Sequence, residues 1–159
     1  MRKIFNSVLG LLACFSISCQ AQNLLENDFS SSAEKLNCVG RGVCQVSNGV
    51  LSSKGSFALF GNKVWTNYSM SFKARAPKEA EQVQIWAGFH TYNRFDRYVV
   101  GIKGGLQDDL YLMRTGYMGM DELMGVRPLG FHPVPGEWYS LRIEVCGNRI
   151  RVFVNDNKL

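Results

Sequence analysis

The strongest constraint on the fold is a strict alternation of apolar and polar residues near the end of the sequence. Apolar side chains occupy every second position on both sides of Gly147 and Asn148. They are Leu141, Ile143, Val145, Ile150, Val152 and Val154. A period of two is that of a half-buried β-strand, and Gly-Asn is a turn signal. A two-residue turn sets Leu141 against Val154 and Ile143 against Val152. It also sets Glu144 opposite Arg151, which is a favourable exposed pair. The segment therefore predicts an antiparallel hairpin in this register.

The same alternation recurs along most of the chain and no amphipathic helical pattern interrupts it. Asn48 and Gly49 form a second strong hairpin signal, because both residue types tolerate a positive φ. The predicted strands cover residues 43–47, 50–51, 57–60, 66–76, 83–89, 97–103, 110–114, 141–145 and 150–154. A chain of 159 residues with 46% hydrophobic residues suffices for one domain. About nine short strands in one domain predict an all-β fold, an antiparallel β-sandwich.

The first residues resemble an export signal. Arg2 and Lys3 precede an apolar stretch over residues 4–17, which is too short for a stable membrane anchor. Cleavage after Ala21 would leave a module spanning residues 22–159, with residues 1–21 as the signal peptide. Lipidation of Cys19 is the alternative, because residues 16–19 resemble a bacterial lipobox in which Ser16 replaces the preferred Leu. Both predict a secreted, periplasmic or outer-membrane-surface protein, with no membrane contact beyond a lipid anchor.

Cysteine spacing and net charge limit the classes of ligand that the sequence predicts. Cys38 and Cys44 flank a Gly-rich loop and are candidates for a disulfide in an oxidising compartment. Without a second cysteine pair or a histidine partner they do not predict a zinc site, so no metal is expected. No cofactor is expected, and a structural calcium ion is left open. The formal net charge of +5 is modest and scattered along the sequence, which does not favour nucleic acid as a partner.

The most informative candidate site lies on the strand over residues 83–89. Val83, Ile85, Ala87 and Phe89 have the parity of the core, whereas Gln84, Trp86 and His90 have the other. An exposed indole beside amide and imidazole groups is typical of a sugar-binding surface, since ligand sites combine aromatic area with a few polar groups. The other interpretation is that a loop or a neighbouring domain covers Trp86. Further residues that could line the same side are Tyr92, Arg94, Arg97 and Arg114. Trp65 and Trp138 are expected to pack at the edge of the core.

Catalytic motifs are missing from the sequence. It contains neither a phosphate-binding Gly-rich loop nor a nucleophile elbow. Glycoside hydrolysis needs two carboxyl groups about 5 to 10 Å apart across a cleft. The adjacent pairs Asp108–Asp109 and Asp121–Glu122 are instead expected in solvated loops. No catalytic residue is assigned.

Several stretches together resemble concanavalin A-like jelly-roll modules. They are residues 65–75, 84–89, 97–102 and 136–155. The nearest types are laminin-G-like and 3-keto-disaccharide hydrolase-type domains of secreted proteins from Bacteroides-like gut bacteria. Such domains often precede the catalytic domain of glycoside hydrolases, including β-galactosidase-like enzymes of family two. The Glu-x-Asp-x-x-Glu strand of sandwich glucanases is missing here.

The resemblance implies a non-catalytic, carbohydrate-associated module at the N-terminus of a glycoside hydrolase. Its expected partners are an oligo- or polysaccharide and a downstream catalytic domain. Because the sequence stops just after a strong strand, we expect it to be the front part of a longer polypeptide whose sandwich is incomplete. Two alternatives stay open, a hydrolase in its own right and a structural spacer domain.

Overall fold

The computed structural model describes residues 28–29, 37–62, 64–91, 96–116 and 121–159. The expected signal peptide, the lipidation site Cys19 and the candidates Tyr92 and Arg94 lie outside these residues. The described part contains ten β-strands and no helix, and hence no helix that could cross a membrane. The strands are β1 (Asn37–Ser47), β2 (Val50–Leu59), β3 (Tyr68–Ala74), β4 (Gln84–Phe89), β5 (Arg97–Lys103), β6 (Asp109–Thr115), β7 (Asp121–Pro128), β8 (Tyr139–Cys146), β9 (Arg149–Val154) and β10 (Asn157–Lys158).

The strands form a hairpin and two four-stranded antiparallel sheets. β1 pairs only with β2. Sheet I has the strand order β10-β9-β8-β3, and sheet II has the order β4-β5-β6-β7. The chain leaves sheet I after β3, builds all of sheet II and returns to sheet I at β8. The prediction of an all-β, antiparallel, sandwich-like arrangement is confirmed.

The hydrophobic core lies between the inner faces of sheets I and II. Sheet I contributes Leu141, Ile143, Val145, Val152 and Val154, and sheet II contributes Ile85, Phe89, Val100, Ile102 and Leu110. Each of these residues belongs to the apolar set of its strand. Because successive side chains point to opposite faces of a sheet, the apolar residues lie on the inner face and the polar ones on the outer face. Among the described residues no polar or charged residue is buried.

Both predicted hairpins are confirmed, and that of β8 and β9 is also confirmed in its predicted register. Leu141 pairs with Val154, Ile143 with Val152 and Glu144 with Arg151. At the other hairpin Ser47 pairs with Val50. The intervening Asn48 and Gly49 have φ values of 52° and 70°, which is the left-handed backbone that their residue types favour. Local turn chemistry and apolar spacing agree at both sites, which explains why sequence fixes their register.

Two strands were not predicted, β7 and β10, and the strands predicted over residues 50–51 and 57–60 belong to the single strand β2. β7 has no strict alternation and meets β6 with a register shift between Leu112 and Met113, so two residue parities are mixed along it. The interpretation of Asp109, Asp121 and Glu122 as loop residues is therefore wrong, because Asp109 lies in β6 and the other two lie in β7. β10 has only two residues, too few to show any period.

Candidate functional site

The outer face of sheet II carries an indole that packs directly on the backbone of the neighbouring strand. Trp86 of β4 lies opposite Gly101 of β5. A Cβ atom built on Gly101 would lie 2.0 Å from two atoms of the six-membered indole ring. Only glycine leaves room for the ring at this position, because any side chain would push it off the sheet. Trp86 nevertheless remains 44% exposed, so one side of the indole contacts the sheet and much of the rest is open to solvent.

A second ring extends this surface. Gly101 also lies opposite Tyr111 of β6, so the glycine separates two aromatic residues in one row across the sheet. The centroids of the Trp86 and Tyr111 rings are 6.3 Å apart, and the ring planes are inclined by 44°. We call Trp86, Gly101 and Tyr111 the aromatic platform. Together the exposed Trp86 ring and the half-buried Tyr111 ring form one apolar surface.

Polar groups flank the platform along one side. The neighbouring row on the same face consists of Gln84, Lys103 and Asp109, which pair across β4, β5 and β6. Residues two apart on a strand are separated by about 7 Å. This polar row therefore brings an amide, an ammonium and a carboxylate to the edge of the rings. It offers both donors and acceptors to a ligand lying on the platform.

His90 does not lie beside Trp86. Its φ of 50° breaks the alternation of β4, so its ring turns away from the outer face. The imidazole instead lies 6.2 Å from the ring of Tyr98, which packs against the core. The His90 backbone N–H donates to the Tyr68 hydroxyl at 2.9 Å. The expectation that His90 shares the face of Trp86 is corrected by this left-handed turn.

Arg114 also lies away from the platform. It follows Leu110 and Leu112 on the inner parity of β6. Its guanidinium is 5.9 Å from the centroid of the Tyr98 ring, and its Nε lies 3.7 Å from Asp96 Oδ1. The structure thus groups Trp86 with Gln84, and groups His90 with Arg114 at the rim of the inner face. The described Arg97 has outer parity, and its guanidinium lies 5.2 Å from the Phe57 ring of the β1–β2 hairpin.

The residues that sequence reasoning missed are Gly101, Tyr111, Lys103 and Asp109. One signal was present, since an isolated glycine within a strand pattern often marks a close approach of another group. The two residues that meet at Gly101 come from different strands. Their meeting depends on strand order and register, which the sequence alone does not show.

The phenol of Tyr68 supports the end of the inner face where His90 lies. Burial raises the pKa of Tyr68 above its ordinary value, and the hydrogen bond from the His90 backbone partly offsets this effect. The neutral phenol is the form that burial favours. The Tyr68 hydroxyl therefore stays neutral and accepts the hydrogen bond from the His90 backbone N–H.

A histidine and a carboxylate pair at one end of the sandwich. His132 Nδ1 lies 2.9 Å from Asp108 Oδ2, and the Gly105 backbone N–H donates to Asp108 Oδ1 at 3.3 Å. The pair orients an exposed imidazole, which is one component of a general base. In the described parts of the chain, no group of three or more His, Cys, Asp and Glu side chains is placed to hold a metal ion.

A disulfide joins Cys38 and Cys44 within β1. It spans the register shift between Gly40 and Val43, where β1 bulges away from β2. The Ser56 hydroxyl lies 3.4 Å from Cys44 Sγ. The cross-link closes the bulge and is typical of an exported chain.

No family model, curated protein or solved structure matches this chain. Its function is therefore inferred from the chemistry of its own residues.

Proposed function

We propose that this chain is an exported, carbohydrate-associated module that binds an oligo- or polysaccharide on the aromatic platform. The observation that carries the proposal is the indole of Trp86, which is supported from below by Gly101 and yet 44% exposed. Large aromatic surface that is held rigidly and left open is typical of a binding site. Because the folded protein already orders the Trp86 ring, ligand binding costs little further side-chain entropy.

The chemistry of the platform suits a pyranose. A sugar ring presents apolar C–H groups on its faces and hydroxyl groups around its rim. The C–H groups can stack on Trp86 and Tyr111, while Gln84 and Asp109 can bond hydroxyls at the edge. Binding at one shallow site of this kind is expected to be weak, since only one side of the sugar is covered.

The wider proposal is a concanavalin A-like jelly roll that forms the non-catalytic N-terminal part of a glycoside hydrolase. Two facing four-stranded antiparallel sheets and a chain path that leaves sheet I and returns to it support the fold. The Cys38–Cys44 disulfide supports export. A hydrolase in its own right is the second candidate, because the Asp108–His132 pair could act as a general base.

Affinity electrophoresis in gels that contain neutral polysaccharides tests the binding proposal. Trp86→Ala should weaken retardation at least about tenfold, equivalent to about 1.4 kcal/mol. Trp138→Ala is the matched control, because Trp138 is 45% exposed but lies beside sheet I. It should retain the affinity of the parent. Equal losses in both variants, or a parent that no gel retards, would remove the platform from the function.

Activity assays separate the second candidate. His132→Ala should leave polysaccharide binding unchanged, since His132 lies at the end of the sandwich and Trp86 on the outer face of sheet II. If the purified chain hydrolyses a disaccharide and His132→Ala abolishes that activity, the module is an enzyme and the non-catalytic proposal is wrong.

A further inference from the structure

The outer face of sheet I is strongly basic, although the cationic residues are scattered along the sequence. Strand parity places six cations on or beside this face: Lys73, Arg75, Arg142, Arg149, Arg151 and Lys158. The carboxylates there are Glu144 and Asp156. The outer face of sheet II differs, because its described strands carry Arg97 and Lys103 against Asp109 and Asp121. Of the two described outer faces, that of sheet I therefore carries the larger excess of positive charge.

The cations of sheet I follow a diagonal across the strands. Lys73 lies on β3, one row away from Arg142 on β8. Arg151 on β9 lies one row further, and Arg149 follows two residues away on the same strand. Diagonal neighbours on adjacent strands are about 7–8 Å apart. The four charges thus form a track about 20 Å long, from three such steps.

Aromatic rings and a carboxylate hold parts of this track in place. The guanidinium of Arg142 lies 3.7 Å from the centroid of the Phe153 ring. Beside the track, the guanidinium of Arg75 lies 4.8 Å from the Trp138 ring. Glu144 pairs with Arg142 and lies 3.6 Å from Arg151. Side chains that are already ordered lose less entropy when they bind a ligand.

A shallow depression lies along the same diagonal. Its volume is about 290 Å³, and its lining combines cations, serine hydroxyls and an aromatic ring. The lining residues are Ser71, Phe72, Lys73, Ser140, Leu141, Arg142, Phe153 and Asp156. The depression lies at the Lys73–Arg142 end of the track, and the two cations there supply donors to an anionic ligand.

We propose that the outer face of sheet I binds a linear polysaccharide that carries carboxylate or sulfate groups. Arginine forks match such oxyanions in geometry, and the track has the shape of an extended chain. Charges about 7–8 Å apart fit a polymer with widely spaced anionic groups. Duplex DNA carries one charge per about 1.7 Å and would leave most of its phosphates unpaired. The disulfide also indicates an extracellular compartment, where acidic polysaccharides are the common polyanions.

The test compares two variants of equal net charge. The face variant combines Lys73→Gln, Arg149→Gln and Lys158→Gln, which are exposed residues of sheet I. The control variant combines Lys54→Gln, Lys78→Gln and Arg127→Gln, which are exposed residues of β2, of the segment between β3 and β4, and of β7. Both remove two lysines and one arginine. Circular dichroism establishes that each variant retains the β-structure of the parent.

Binding to heparin and to polygalacturonate is measured by titration at several salt concentrations. The parent should bind at least one of them, and the face variant should bind it about tenfold more weakly, as three surface ion pairs would give. The control variant should stay within about twofold, and salt should weaken every interaction. The heparin and polygalacturonate arms distinguish sulfate from carboxylate as the recognised group.

Three results would overturn the proposal. Equal losses in both variants would show that net charge alone drives binding. A parent that binds neither polysaccharide would leave the track without its ligand. Tighter binding of a DNA duplex than of either polysaccharide would make this face a nucleic-acid surface. Trp86→Ala should bind the acidic polysaccharides as the parent does, so failure of this proposal is distinguishable from failure of the platform.

Discussion

Replacing Gly101 with alanine tests whether the indole of Trp86 is supported as the structure shows. The added methyl would lie 2.0 Å from two ring atoms of Trp86, far inside van der Waals contact. The ring or the strand must therefore move. Forcing extra carbon into a packed site costs about 1 to 3 kcal/mol. Alanine also removes the conformational entropy penalty of glycine in a strand, which is about 0.5 to 1 kcal/mol. The net expectation is a loss of stability on the order of 1 kcal/mol.

Gly125→Ala is the matched control within the same sheet. Gly125 lies in β7, and a Cβ atom built on it meets no other atom within 4 Å. Only the entropy contribution remains, so this variant should gain about 0.5 to 1 kcal/mol. The same chemical change is therefore expected to have opposite signs at two positions of one sheet.

Urea unfolding monitored by circular dichroism gives both free energies of unfolding. Tryptophan fluorescence should shift to longer wavelength in Gly101→Ala, because the displaced indole becomes more exposed. Neutral polysaccharide binding should fall together with this shift. If Gly101→Ala proves as stable as Gly125→Ala and keeps the parent fluorescence, the indole does not pack on β5, and the platform loses its physical basis.

Three further outcomes follow from the described contacts. Ile143→Ala should lower the free energy of unfolding by about 2 to 5 kcal/mol in urea titrations, because Ile143 is fully buried between the sheets. Reducing the Cys38–Cys44 disulfide should cost about 2 kcal/mol, measured by unfolding with and without dithiothreitol, because it closes only a short loop. Burial raises the pKa of Tyr68, so its contribution to stability is complete below about pH 10 and is lost as pH rises through the raised folded-state value. Tyr68→Phe should flatten that alkaline decline in thermal melts.

Sequence reasoning succeeded where the deciding interactions are local. The Glu144–Arg151 pair and the apolar pairs around it are fixed by one two-residue turn, and all were predicted in register. The faces of β4 were also correct for Trp86 and Gln84, because simple alternation holds from Val83 to Phe89.

The prediction failed where the chain leaves regular geometry or where distant strands meet. His90 adopts a positive φ, which its residue type alone does not predict. The position of Arg114 depends on the register between β5 and β6, which no turn signal in the sequence fixed. Trp138 was expected at the edge of the core but is exposed beneath Arg75, since the partner that stacks on it lies 63 positions earlier in the chain.

The net charge of the chain also did not predict how the charges are distributed over the outer faces, and the reason is physical. Alternation constrains only the inner face of each strand, because burial there excludes polar groups. The outward positions remain free to vary, and the two sheets use them differently. Sheet I presents cations, whereas sheet II presents Trp86 together with Leu123, which is 57% exposed. Charges that are scattered along the sequence thus form a basic outer face on sheet I. Apolar residues outside the core contribute to the outer face of sheet II.

Of the two outer faces, the apolar face of sheet II is the less favourable one to expose to water. Burying exposed apolar surface lowers the free energy by about 25 cal/mol per Å². In a solvated β-sandwich without a ligand on this side, contacts between side chains of one row, such as Trp86 and Tyr111, contribute only about 0.2 to 1 kcal/mol. Polar residues at those positions would support the same sheets, since neither ring lies in the core between them. The requirements of folding therefore account for the inner faces, and the proposed carbohydrate binding would account for the platform.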